Sequence, residues 1–335
     1  MKKALLMTLL ATTLAAGAAQ ADTTSPSAKP GDTAVLKWQD GKQAVFLLAF
    51  DDSCQSQIKN VIPALKQHGY VGTFYINPGN GPFKSQQKVW EKDLPGNPAV
   101  VYGNHTFFHK GATNAAQLES ELSGCEAVIY ACHPERKTPF LVSFGQPGGV
   151  PWTVSKDEVT AALAKHHLIN RPNFWGAAIH VKTTADMEAL VDKAIAKGDM
   201  GHLDFHGVGG DWLAATLDFF NAFLNKLDAC RDKLWVTDHI SYHKYLTERT
   251  SAVAKVTQAD AMQIRLQLTS AADPALYDLP LTLETHVPTT WTTCTVAQGA
   301  ASQPVAATNG VVRYAATPGT EAIVVHAGGV SGQAR

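Results

Sequence analysis

Two adjacent carboxylates, Asp51 and Asp52, close an uninterrupted apolar run, Ala44-Val-Phe-Leu-Leu-Ala-Phe50. Such a run suits a strand buried on both faces, and its C-terminal edge is where barrels and open α/β sheets place their chemistry. Neighbouring acids repel unless a cation or a division of roles separates them. The same pair also fits a turn that caps a helix. His105-Thr-Phe-Phe-His109 follows a second strand-like segment, Ala99 to Tyr102. On a helical turn, histidines at i and i+4 face one way and can grip one metal ion; such pairs also arise as packing or surface residues. Two imidazoles and one carboxylate together make a facial site with positions left for water and substrate. His206 ends a late apolar segment and precedes Gly207, Gly209 and Gly210, which suits a reactive side chain at an open mouth. Phe144-Gly-Gln-Pro-Gly-Gly149 is a sharp turn after a strand, with Pro147 and Gly148 as candidate substrate contacts.

The elements that must position these residues alternate between strand and helix. Helical spacing of Ile58, Val61, Ile62 and Leu65 predicts a helix stopped at Gly69, with a kink or late start at Pro63. Gly72 to Asn77 reads as a strand, Ala115 to Ala131 as a helix, Phe140 to Phe144 as a strand and Lys156 to His166 as a helix. Ala185 to Lys197 (helix), Met200 to His206 (strand), Trp212 to Leu227 (helix), Leu234 to Thr237 (strand) and Tyr242 to Val256 (helix) continue the series. This order implies a parallel sheet with right-handed crossovers. From about Asp260 the pattern changes to short alternating segments, Ile264 to Leu268, Leu281 to Leu283, Val311 to Tyr314 and Ala322 to His326, punctuated by Pro and Gly. The expected organisation is residues 1–21 as a signal peptide, 22–33 as a flexible lead-in, 34–256 as an α/β barrel-like domain and 260–335 as a small all-β domain.

Composition narrows the function classes. The net charge of −1 over 335 residues and the lack of a basic stripe argue against nucleic acid as the partner. Lys2 and Lys3, the apolar stretch Ala4 to Ala16 and the small-x-small site Ala19-Gln20-Ala21 predict export to the periplasm or the medium. No later stretch approaches the ~20 apolar residues of a membrane anchor, and no protein partner is evident. The five cysteines, Cys54, Cys125, Cys132, Cys230 and Cys294, leave at least one thiol unpaired in a monomer, and none has metal-binding CxxC spacing. Cys54 reads as a packing or disulfide residue, and Trp291 as a core residue before a sugar platform.

In order and spacing these motifs resemble the polysaccharide deacetylase family (carbohydrate esterase family 4, the NodB-homology family), over about Thr33 to Arg249. Ala49-Phe-Asp-Asp52 resembles its Thr-Phe-Asp-Asp motif, His105-Thr-Phe-Phe-His109 its His-Thr/Ser-x-x-His motif, and Asp204-Phe-His206 its Leu-x-His motif with the Leu replaced. The resemblance implies an irregular, incomplete (β/α) barrel. It implies Asp51 as general base, a divalent metal, zinc above all, on Asp52, His105 and His109, and His206 as general acid. An acetylated glycan would be the substrate, with N-deacetylation as the reaction; an O-acetyl esterase and a catalytically silent metal- or glycan-binding protein are the competing readings. Where the family has Arg-x-Pro, this chain has Gly145-Gln146-Pro147. Arg171 is a candidate substitute for that arginine. Asp186 or Asp211 is a candidate for the Asp that orients the catalytic His, and Arg171 and Asp211 are also candidate substrate contacts.

Overall fold

The computed structural model describes residues 28–328, so the expected signal peptide and the first half of the lead-in lie outside the described residues. In chain order the elements are β1 (Thr33–Val35), β2 (Ala44–Asp51), α1 (Ile62–His68), β3 (Gly72–Ile76), α2 (Gly81–Ser85), β4 (Val100–Asn104), α3 (Ala115–Ala131), β5 (Val142–Phe144), α4 (Lys156–Lys165), β6 (Leu168–Asn170), α5 (Thr184–Lys197), β7 (Met200–Phe205), α6 (Leu217–Ala229), β8 (Leu234–Thr237) and α7 (His239–Ser251). Seven strands, β2 to β8, form a curled parallel sheet in the order β6-β5-β4-β3-β2-β7, with β8 on the first half of β2. It is the parallel sheet that the alternation implied, curled into the incomplete barrel that the resemblance implied.

The apolar run of β2 is continuous because each face enters a different core. Ala44, Phe46, Leu48 and Phe50 join the cluster under the helices, with Phe74, Phe205, Phe220 and Phe223. Val45 and Leu47 join a second cluster, with Trp38, Tyr245 and the side chains of the C-terminal sheets. Strand alternation does the sorting, and on the Val45–Leu47 face the next residues upward are Ala49 and then Asp51.

The remaining strands are β9 (Val253–Ala259), β10 (Gln263–Thr269), β11 (Leu281–His286), β12 (Thr293–Gln298), β13 (Ala301–Ala306), β14 (Val311–Ala316) and β15 (Ile323–Ala327). They form two antiparallel sheets, β13-β12-β15-β10-β9 and β1-β11-β14, which pack across the second core. Ile264, Leu266 and Leu268 point inward from one sheet, Leu281, Leu283, Val312 and Tyr314 from the other. β1 belongs to this sandwich although it precedes the α/β domain in sequence. Trp291 is a core residue here.

Several boundaries differ from the sequence reading. A π-helical turn, Gln57–Val61, runs directly into α1, and Pro63 stands just past that junction. α6 starts at Leu217, capped by Thr216, which frees Trp212 to Ala215 for a loop. α7 starts at His239, where Asp238 accepts from the Ile240 and Ser241 N–H groups, and ends at Ser251, before the strand-forming Val253–Ala259. The short strand β6 and the hairpin β12–β13 escaped the pattern; only Leu168 of β6 is buried and β13 is nearly all exposed, so neither carries a strong apolar alternation. All five cysteines are buried and free. Among the described residues no helix is long and apolar enough to cross a membrane.

Candidate metal and hydrolytic site

Asp51 closes β2, His105 follows β4, Gly145 follows β5, Arg171 follows β6 and His206 follows β7. Five strand ends therefore deliver these residues to one edge of the sheet. Beyond β2 the chain turns through two left-handed residues, Asp52 (φ 70°) and Ser53 (φ 52°). That conformation is unfavourable for residues with a Cβ, and bonds hold it: the Asp52 N–H donates to the Tyr75 carbonyl at 3.2 Å and the Asn77 N–H to Ser53 Oγ at 3.2 Å.

The histidine pair is not helical. His105 to His109 is a loop with positive φ at Thr106 (64°) and His109 (57°), and the loop, not an i, i+4 turn, brings the two rings within 5.1 Å of each other. The His109 N–H donates to Thr106 Oγ1 at 3.1 Å, the Thr106 N–H to Asn104 Oδ1 at 2.9 Å, and the Phe108 N–H to Glu121 Oε2 on α3 at 2.8 Å. Glu121 reads in sequence as an ordinary helix residue, yet it is buried and pins the loop.

His105 Nδ1 lies 2.6 Å from the Gly145 carbonyl. A carbonyl only accepts, so Nδ1 carries the proton and Nε2 presents its lone pair. That Nε2 lies 3.4 Å from Asp52 Oδ1, and His109 Nε2 lies 3.3 Å from the same oxygen. Asp52 Oδ1 is buried without a hydrogen-bond donor. An orphaned carboxylate oxygen facing two imidazole nitrogens fits a divalent cation; the three ligand atoms all lie within 4.8 Å of one another. The second oxygen, Oδ2, accepts from Trp212 Nε1 at 2.8 Å. Burial pushes the Asp52 carboxyl up, but His105, His206 and His109 together hold it well below the usual carboxylate range.

Asp51 is held differently. Arg171 donates a fork to it, Nη1 to Oδ1 at 2.6 Å and Nη2 to Oδ2 at 2.7 Å, and its guanidinium lies 4.3 Å over the Tyr75 ring. Both side chains are buried. Burial raises the Asp51 carboxyl, and the charges of Arg171, His105 and His206 more than reverse that. Gly145 explains how Arg171 reaches so far. Phe144 and Asn170 are paired across β5 and β6, so Gly145 and Arg171 are lateral neighbours. A Cβ on Gly145 would stand 2.8 Å from Arg171 Nε and 2.9 Å from Cζ. The glycine where the resemblance expects arginine is the gap through which an arginine from the next strand enters.

His206 Nε2 lies 3.7 Å from Asp52 Oδ2, and the ring meets Phe174 edge-on at 5.4 Å. Its Nδ1 is buried without a partner. Gln57, fully buried, ties the two strand ends together by donating to the carbonyls of Asp51 at 2.6 Å and His206 at 3.0 Å.

Other candidates fall elsewhere. Asp211 accepts from the Ser56 N–H at 2.7 Å and so fastens the loop after β7 to the turn after β2, with no bond to His206. Asp186 caps α5 through Thr183. The Pro147 carbonyl accepts from Trp152 Nε1 at 3.0 Å, and Gly148 is exposed in the same turn. Cys54 is buried, with its Sγ 3.7 Å from the Asp51 carbonyl; burial and the neighbouring acids push its thiol far up, which disqualifies it as a nucleophile. Sequence reasoning missed Asp204, Trp212 and Gln57 as parts of the site; Asp204 sits in a quoted motif and Trp212 at the expected start of a helix, but only their contacts reveal their roles.

Residues 39–166 match the family model described as polysaccharide deacetylase. A gellan lyase of a Bacillus species is 25% identical over 293 residues, covering 78% of this chain but 12% of that protein; the chain thus spans about an eighth of the length of that relative. Solved structures similar to the chain include a family 4 carbohydrate esterase from Streptomyces lividans in complex with acetate (TM-score 0.43, 18% identity, 59% of this chain and 94% of that one). A peptidoglycan deacetylase from Bacillus subtilis (TM-score 0.44, 14% identity, 60% and 91%) is another, and a family 4 pseudoenzyme from Bacillus anthracis (TM-score 0.41, 14% identity, 57% and 63%) a third. The matched segment carries Asp51, Asp52, His105 and His109, so the likeness to that family falls on the part of the chain where the site is built.

Proposed function

We propose that this protein is a metal-dependent hydrolase that removes acetyl groups from N-acetylated glycans in the cell envelope or outside the cell. The observation that carries the reading is Asp52 Oδ1, orphaned between His105 Nε2 and His109 Nε2 beside a second carboxylate with a different environment. Two imidazoles and one carboxylate suit zinc. Bound there, a zinc ion would polarise the acetyl carbonyl and acidify the attacking water.

The residues of the chain divide the proton work. Asp51, kept ionised by the Arg171 fork, accepts the proton of the attacking water. His206, delivered from β7 on the other oxygen of Asp52, holds the proton that the leaving nitrogen takes. Asp52 is withheld from acid–base work, since its oxygens face His105, His109 and Trp212. The Arg171 fork supplies the arginine that the Gly145-Gln146-Pro147 segment lacks, which weighs against the silent-protein reading. Export is supported by the N-terminal sequence pattern alone.

The test is acetate release from paired N- and O-acetylated glycans by mature protein, stripped with chelator and then reloaded with zinc. Release from N-acetylated substrates that returns only with metal is expected. Asp51→Asn should still bind zinc and lose at least about 100-fold in turnover. A fully active Asp51→Asn protein would sink the assignment, and release from esters alone would replace the amidase by an esterase.

A further inference from the structure

Arg171 does not bind Asp51 alone. Its Nη1 also faces Asp204 Oδ1 at 3.5 Å, and the other oxygen of that carboxylate, Oδ2, accepts from the Trp175 backbone N–H at 2.5 Å. Asp204 is buried on β7, paired with Ala49 two residues before Asp51. Its own backbone completes the attachment: the Asp204 N–H donates to the Trp175 carbonyl at 3.1 Å, and its carbonyl accepts from the Ala177 N–H at 2.8 Å. One residue therefore clamps both the guanidinium and the segment that leads away from it. The charged and titratable groups facing Asp204 are Arg171, Asp51, His202 (Nε2 3.7 Å from Oδ2) and the Tyr75 phenol. A carboxylate at this depth, beside another carboxylate, is costly, and a fully buried strand position would ordinarily hold a hydrophobic residue. The cost is explained if Asp204 has a task.

We propose that Asp204 is a positioning residue for the general base. It fixes the Nη1 corner of Arg171 and the backbone at Trp175, so that a guanidinium entering over Gly145 from β6 meets Asp51 as a fork and not end-on. The inference rests on Asp51 being the base. An arginine has four rotatable side-chain bonds, and this one reaches Asp51 on β2 from the end of β6, four strands away in the order of the curled sheet; without a second anchor the fork would be one of several arrangements. The fork geometry is what distinguishes a fixed, ionised base from a mobile one.

The test is a double-mutant cycle on the zinc-loaded full chain, with kcat and KM for acetate release from an N-acetylated oligosaccharide. Asp204→Asn should lower kcat about 10-fold with KM and zinc stoichiometry unchanged. In an Arg171→Met background the same substitution should cost less than about twofold, because its effect runs through the arginine. Equal losses in both backgrounds, or an unchanged kcat in Asp204→Asn, overturn the proposal. Arginine side-chain ¹⁵N spectra read the same point without turnover. Arg171 Nη rotation, restricted in the unaltered protein, should become free in Asp204→Asn; a rotation still restricted overturns the anchoring role. If Asp204→Asn does not fold, Asp204→Ser, which still accepts from the Trp175 N–H, replaces it in every arm. Asp51→Asn run alongside separates the two readings: its full activity would reject the base assignment, while a loss there with an unaffected Asp204→Asn rejects only the positioning role.

Discussion

Arg171→Met is the most informative single substitution. The guanidinium makes two charge-assisted bonds, at 2.6 and 2.7 Å, to a carboxylate that is 2% exposed. Methionine keeps an unbranched apolar stem and removes the charge. Breaking a buried pair by removing one partner costs about 3–5 kcal/mol, because the survivor is left uncompensated. At about 2 °C per kcal/mol for a chain of this size, the melting temperature should fall by roughly 6–10 °C. Part of the loss is relieved by Asp51 taking up a proton, and the sign of that response is fixed. Burial pushes the Asp51 carboxyl up, and Arg171, ahead of His105 and His206, holds it below its ordinary range. Without Arg171 the carboxyl rises, so the acid limb of the pH–rate profile should move to higher pH and turnover at neutral pH should fall. Calorimetry and a pH–rate series with the metal-loaded enzyme read both effects. Adding Asp51→Asn to Arg171→Met should restore part of the melting temperature without restoring activity, since it removes the stranded charge. A variant within about 1 °C of the parent with an unmoved acid limb would refute the account of Arg171.

Two further outcomes follow from contacts away from Asp51. Trp212→Phe removes the N–H given to Asp52 Oδ2 and should weaken zinc binding about 10–100-fold by calorimetric titration, the usual effect of losing a group that orients a ligand; an unchanged affinity would mean that the indole orients nothing. Glu248, 2% exposed on α7, is pushed up to about 7 by burial, with Asp278 adding to the rise while the Leu279 N–H and Lys244 oppose it. The folded state therefore holds a proton that the unfolded chain releases earlier, and stability is lost as pH rises from the ordinary glutamate range toward about 7. Glu248→Gln should melt about 2–4 °C higher than the parent at about pH 8, with the gap closing toward about pH 5. A gap independent of pH would show that Glu248 does not titrate in that window.

The α/β part of the fold was legible because its signals are local. The run Ala44 to Phe50 could only be a strand covered on both faces, and the amphipathic helices carried their own caps and stops, as at Gly69 and Gly198. The candidate site residues Asp51, Asp52, His105, His109 and His206 were likewise legible as candidates, each standing at or just beyond the end of an apolar segment. The sequence alone determined which side chains reach the C-terminal edge of the sheet. It did not determine what they meet there. That Asp52 keeps one oxygen unpartnered, that a loop and not a helix turns His105 and His109 together, and that His105 is oriented by the Gly145 carbonyl are tertiary facts. The arginine shows the difference most clearly. In the sequence Gly145 reads as the loss of the motif arginine and Arg171 as a candidate substitute for it, with nothing to say that the two meet. Only the pairing of β5 with β6 sets them side by side, and only the parallel pairing of β2 with β7 brings Asp204 to the same guanidinium. Residues 145, 171 and 204 have no periodic relation along the chain. Their relation is created by strand register, which arises from packing the whole sheet and has no trace in any one segment.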